Sequence, residues 1–193
     1  MGDWREDPEL RELGRELRER LGGEFRGEAE ESERAAAVAA ARARTLADLA
    51  AALRSRGDMV AVGMSRKSFT GTVVYVGGDF FTLRTPGGLA HCSLERPVTF
   101  RVVGRGSGGI GPSRGPETFR ARLLELELDG QEVELGGLLL GDVQRGRIAV
   151  VGRDHLIMRA GDGEEWYVSL MSLDYVACHD PGRAGGAGGW DGI

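Results

Sequence analysis

GTVVYVGGDFFTLR, residues 71–84, decides the fold because the chain contains this pattern twice: residues 146–159 read GRIAVVGRDHLIMR. The two runs align without a gap. Gly71/Gly146, Val76/Val151, Gly77/Gly152, Asp79/Asp154 and Arg84/Arg159 are identical, and apolar residues fill most other positions. Self-similarity of this kind marks a duplicated structural unit. Short apolar runs on either side of a glycine turn read as strands, so each copy is expected to be a small β unit.

The neighbouring residues extend both units. In the first, strands are expected over 59–63, 68–76, 80–84, 89–94 and 98–103, with turns at Gly77-Gly78 and Pro86-Gly87-Gly88. In the second, Gly130, Val133, Leu135 and Gly136 match Gly57, Val60, Val62 and Gly63, and Ser169-Leu170 matches Ser93-Leu94. Strands are therefore expected over 131–136, 166–170 and 172–178 around the shared run. Residues 118–128 carry two signals. Their LELEL alternation beside Asp129-Gly130 suits a hairpin, whereas the repeat register puts a helix there. Helix is the favoured reading.

Upstream, Asp7-Pro8 suits a helix start, and Leu10, Leu13, Leu17 and Leu21 follow at helical spacing. Glu12–Arg15 and Glu16–Arg20 are candidate ion pairs within that helix. A second helix is expected over 28–55. It has an acidic start, an Ala-rich middle, a stripe of Leu46, Leu49, Ala50 and Leu53, and Gly57 as its stop. The expected organisation is a helical extension at 1–27, a helix plus first β unit at 28–103, a Gly/Pro linker at 104–117, a second β unit at 118–178 and a disordered tail at 179–193.

The chain has 193 residues, of which 41% are hydrophobic, and a net charge of −5. It therefore has no overall attraction to phosphate. The charge is uneven: residues 57–103 hold five Arg or Lys against three Asp or Glu, and residues 118–178 hold six against eleven. Two cysteines, Cys92 and Cys178, are too few for a disulfide framework. The charged N-terminus lacks the apolar core of a signal peptide, and no run approaches a membrane span. A cytoplasmic protein with no membrane segment is expected.

A helix followed by five short bent strands, with the pattern G-x-V-x-x-V-G-x-D-F-F-x-L, resembles the Sm-like family. The resemblance covers residues 57–103 and, more weakly, 130–178. It implies two tandem, divergent Sm-like or SH3-like small β-barrels in a mainly β chain with N-terminal helices, an α+β class. Members of that family form rings and bind RNA through loops. Asp79 and Phe81 sit where the family has its Asp and its base-stacking side chain, with Asp154 and Leu156 as second-copy counterparts. The family's Asn does not follow Asp79, and Glu95-Arg96-Pro97 and Met171-Ser172 replace its second signature loop. The resemblance thus implies the fold more fully than the RNA site. The whole arrangement also resembles helix-plus-two-barrel proteins of high-GC bacteria.

Four groups of residues could carry chemistry. Residues 104–109 (GRGSGG) match G-x-G-x-x-G after a strand, but Gly111-Pro112 and Gly115-Pro116 follow where a phosphate-binding helix would have to begin. A flexible linker is expected instead. Asp79 and Asp154 are carboxylates paired by repeat position but lack the D-T-G or D-S-G of an aspartic protease dyad. An Asp beside glycine in a turn usually accepts backbone N–H bonds. His91-Cys92 and Cys178-His179 could supply zinc ligands, yet adjacent strand residues point to opposite faces and the spacing is not that of zinc motifs. Arg66 and Lys67, with Arg84, Arg96 and Arg101, form the best candidate nucleic-acid contact, and Phe81 is the candidate base contact, although Phe80, Phe81 and Trp166 alternate within strands as core residues do. Lys67 is the only lysine.

No nucleophile–base–orienter set and no metal site emerges, so no enzyme, cofactor or small-molecule substrate is expected. The sequence favours a non-catalytic interaction or adaptor protein that binds a protein partner or its own copy. The candidate contacts are Leu10, Leu13, Leu17 and Leu21 and exposed strand edges. The alternative is an Sm-like nucleic-acid-binding regulator, of RNA rather than DNA.

Overall fold

In the computed structural model, the structure describes residues 12, 13, 15, 16, 31–111 and 114–179. The chain divides into two compact units, Met1–Arg44 and Thr45–Ile193. In the first, residues 31–43 are helical and exposed throughout. Glu12 and Arg15 form the expected ion pair. Leu13 is 53% exposed. Leu10, Leu17 and Leu21 of the expected leucine stripe lie outside the described residues, as do Arg20 and residues 180–193 of the tail.

The helix expected over 28–55 is not continuous. Arg44 and Thr45 are non-helical, and a new helix, α1, runs over Leu46–Arg56. Thr45 is its N-cap, in an extended conformation. Its hydroxyl accepts from Asp48 N at 3.1 Å, and Asp48 accepts from Thr45 N at 2.9 Å. This reciprocal capping box stabilises a fresh start and so competes with continuation of the upstream helix. At the other end Gly57 takes φ 69°, where glycine costs least, and its amide bonds back to the last turn.

The second unit holds both repeats. The first contains β1 (Met59–Gly63), β2 (Ser68–Val76), β3 (Phe80–Thr85), β4 (Gly88–Ser93) and β5 (Thr99–Gly104). Helix α2 (Phe119–Asp129) opens the second, which resolves the ambiguity at 118–128 in favour of helix. Thr118 caps it through Ala121 N, and Gly130 ends it at φ 61°, repeating the stop of α1. Then follow β6 (Glu132–Gly136), β7 (Gln144–Val151), β8 (His155–Arg159), β9 (Glu165–Ser169) and β10 (Tyr175–His179). The fourth strand of this copy lies one residue earlier than expected, and the fifth is shorter and starts three residues later.

The two copies match in detail. The pairing of β2 with β3 shifts between Val73 and Tyr75, and that of β7 with β8 shifts between Ile148 and Val150. Such bulges bend a strand. Gly71 and Gly146 sit under these bends, where a Cβ would collide with the carbonyls of Arg84 and Arg159 respectively. The turns close alike, by Gly77 N to Phe80 O at 2.9 Å and Gly152 N to His155 O at 2.8 Å. Leu94 N donates to Asp79 O, and Leu170 N donates to Asp154 O.

Among the described residues the ten strands form one antiparallel sheet, in the order β5-β1-β2-β3-β4-β10-β6-β7-β8-β9. Each copy contributes the same five-strand order, fifth-first-second-third-fourth, and neither closes on itself. Instead β10, the fifth strand of the second copy, lies between its own first strand β6 and the first copy's fourth strand β4. Two cores result. One gathers Leu53, Val60, Val62, Phe69, Phe81 and Leu83 under α1. The other joins Phe119, Leu123 and Leu126 of α2 to Leu135, Leu156, Met158 and Val176, and takes in Tyr75 and Phe80 from the first copy. The repeats therefore share a core as well as a sheet.

Candidate interaction surfaces

The expected linker is held at both ends. Asp58, 1% exposed, accepts from Arg56 Nε at 2.8 Å, from Gly106 N at 3.1 Å and from Arg105 Nη1 at 3.1 Å. The hydrogen bond from Arg56 leads in holding this carboxylate below its ordinary range, against the opposing effect of burial. Ile110 N donates to Arg54 O at 3.2 Å, and Tyr75 Oη donates to Pro116 O at 2.8 Å. The glycine-rich loop thus turns its amide toward the protein's own carboxylate, and the next helix starts only at Phe119. A dinucleotide cradle is not formed.

Asp79 accepts a backbone amide, as expected, but not one of its own turn: its Oδ1 accepts from Phe119 N at 2.6 Å, and so it caps α2 from outside that helix. Asp154 does not repeat this contact. Its side chain is 86% exposed and meets His155 Nδ1 at 2.8 Å.

His91 and Cys92 are both buried, on opposite faces of β4. His91 shares a hydrogen bond with Thr82 Oγ1 at 2.9 Å. Burial, aided by the charge of Arg122, lowers its pKa to about 3, so the ring is neutral at ordinary pH. Burial raises the Cys92 thiol strongly and the Cys178 thiol to about 11, which keeps both protonated and poorly nucleophilic. No group of three or more His, Cys, Asp or Glu among the described residues is placed to hold a metal ion.

The candidate nucleic-acid residues do not converge on one surface. Phe81 is fully buried, with its ring 5.0 Å from that of Phe100, so it cannot offer a face to a base. Lys67 turns into the sheet and pairs with Glu134. Arg66 donates to Gly141 O at 2.6 Å. Arg84 and Arg101 are exposed, and Arg96 is half-buried. A helix-and-strand pattern cannot show that a basic loop residue has a partner far along the chain.

That partner is the centre of a cluster the sequence reading missed. Glu134, 0% exposed, sits on β6 at the seam between the repeats. It pairs with Lys67, accepts from Tyr175 Oη at 3.0 Å and from Arg145 Nη2 at 3.1 Å, and lies 3.4 Å from His179 Nε2. Burial alone would raise its pKa, but the hydrogen bond and charge of Lys67, then Arg145 and Tyr175, outweigh it and the net shift is downward. Alternation along β6 points Glu134 away from Val133 and Leu135, which reads as solvent. The only hint in the sequence is that the matching residue of the first copy, Ala61, is small and apolar. Beside the cluster is a cavity of about 30 Å³, lined by Arg66, Lys67, Tyr175 and glycines. It has room for water and not for a substrate.

Two strand edges remain. Among the described strands, β5 and β9 each have a single neighbour. The β5 edge shows Arg101, Val102 (39% exposed) and Val103 (46%). The β9 edge shows Glu165 and Tyr167 (69% exposed), next to Glu164. Glu165 is paired with Arg159 of β8 at 2.8 Å, and both edges carry exposed apolar side chains.

No helix among the described residues is long and apolar enough to cross a membrane. Comparison with family models, curated proteins and solved structures gave no match to this chain.

Proposed function

We propose that this protein is a non-catalytic interaction module that binds protein, its own copy included, by strand addition at β5 and β9. One observation carries the reading: the chain already contains such a junction. At β4·β10 the fourth strand of one repeat accepts the fifth strand of the other, in the register Tyr175↔Cys92 to His179↔Gly88. The free edges are the same two strand types, a fifth strand (β5) and a fourth strand (β9). An unprotected edge presents a row of unpaired backbone groups and is a template for pairing.

The five-strand order shared by the two repeats, each behind a capped helix, supports reading them as Sm-like small barrels opened toward a neighbour. The nucleic-acid alternative draws less support, because Phe81 is buried and Lys67 is paired with Glu134.

Light scattering of the purified chain, with its absorbance ratio at 260 and 280 nm, tests the proposal. The expected result is a protein-only ratio and a mass above the 20.7 kDa of one chain, little changed by salt. A raised ratio that falls after nuclease and high salt would overturn it in favour of nucleic-acid binding.

A further inference from the structure

One exposed apolar row on the second repeat has a buried twin on the first. On the first repeat, Tyr75, Thr82 and His91 lie side by side across β2, β3 and β4. All three are buried, at 8%, 2% and 3% exposure. The cover is α2: Phe119 lies 6.0 Å from the Phe80 ring, Arg122 stacks 5.7 Å from the Tyr75 ring, and the start of the helix is bonded to Asp79. On the second repeat, the register Val150↔Ile157↔Tyr167 across β7, β8 and β9 is the equivalent row. Here Val150 is 46% and Tyr167 is 69% exposed.

The matching helix has a matching bare face. By the alignment of Gly57 with Gly130, α1 residues Leu46, Leu49 and Leu53 correspond to α2 residues Phe119, Arg122 and Leu126. Leu53 is buried in its own core, whereas Leu46 is 44% and Leu49 is 36% exposed. Asp154, the counterpart of the capping Asp79, is exposed and bonds no helix.

We infer that α1 of a second copy of this chain docks on the Val150–Ile157–Tyr167 row, with Leu46 and Leu49 on the row and Asp154 accepting from the first amide of that helix. This rests on the edge-binding reading above and names its partner. Repetition of the internal junction sets β9 against β5 of the second copy with Tyr167 opposite Phe100, as His91 stands opposite Val176 inside the chain. The contact is heterologous: each chain uses one face to donate α1 and another to receive it, so copies add head to tail.

Two full-chain variants separate the faces. Asp154→Ala with Tyr167→Glu disables the receiving face, and Leu46→Glu with Leu49→Glu disables the donated one. All four residues are exposed, so each variant should keep the wild-type unfolding transition. Leu128→Glu, on an 86% exposed residue of α2 outside the contact, is the control. By sedimentation or light scattering, wild type and control should exceed one chain, and each face variant alone should fall to one chain. An equimolar mixture of the two face variants should form a species of two chains and no larger, since each supplies the face the other lacks. Wild type that is a single chain at every concentration overturns the inference. So do face variants that assemble like wild type, which would leave strand-edge binding standing. A mixture that stays monomeric, as a symmetric two-fold contact would give, overturns it as well.

Discussion

At the residue scale, Glu134 shows how one side chain can hold a seam. It is fully buried, and the groups that neutralise it come from β7, β10 and the loop before β2. Removing one partner of such a pair strands the other charge, at a cost of about 3–5 kcal/mol. Glu134→Ala should therefore lower the unfolding free energy by about that much in urea titration. Lys67→Met with Glu134→Leu should cost far less, because neither charge is left buried alone. Arg66→Ala with Lys67→Ala, which would test a phosphate contact on sequence grounds alone, also destabilises the seam, so stability must be measured beside any binding.

His91 makes a pH prediction. Its pKa falls from 6.5 to about 3 on folding, so between those values the unfolded chain takes up a proton that the folded chain refuses. The contribution is complete above pH 6.5 and is lost progressively as pH falls toward about 3. His91→Asn keeps a hydrogen-bonding partner for Thr82 Oγ1 and cannot titrate in this range. It should flatten the pH dependence of unfolding between pH 6.5 and 4, and an unchanged slope would show that His91 is not its source.

At the scale of single elements, the boundaries of α1 and α2 follow from caps. Thr45 and Thr118 start the helices, and Gly57 and Gly130 stop them with φ near +60 to +70°. Thr45→Ala removes the acceptor for Asp48 N and should cost about 1 kcal/mol in unfolding free energy. Gly71→Val and Gly146→Val test the two bends. A Cβ at either position meets a carbonyl of the neighbouring strand, so each should destabilise by about 1–3 kcal/mol, the clash outweighing the β propensity that valine gains. Similar losses at both sites are expected if the copies are equivalent at the bulge.

For the whole molecule, the shared core sets the cooperativity. Tyr75 and Phe80 of the first repeat belong to the same cluster as Leu123 and Val176 of the second, and β10 pairs with both repeats. A chain split within 104–117 should leave two halves that unfold without a sharp transition when studied apart. Mixed, they should regain a single cooperative transition by circular dichroism. Two sharp transitions from the separated halves would show that each repeat folds alone.

Much of this was legible in the sequence, and the remainder was hidden for a definite reason. The duplication, the helix stops, the glycine turns and most strand positions depend on interactions within a few residues: a cap, a positive φ, an alternation of apolar side chains. The repeat register, against a local hairpin signal, favoured the helix at 118–128, and turn chemistry foresaw that Asp79 would accept a backbone amide but not that the amide would be that of Phe119, 40 residues on. They did not foresee the break at Thr45, where a capping box outweighs the helix propensity of the alanines before it. They placed Lys67 on a loop surface, since such a pattern does not reveal a partner far along the chain, and they offered Phe81 as a base contact although its place in an alternating strand already favoured the core. Tertiary structure alone decided that β10 would lie against β4, that α2 would cover Tyr75 and His91, and that Lys67 would neutralise Glu134, 67 residues away. Those choices come from burying apolar area and buried charge together across the seam, a free energy that no single segment of the chain contains.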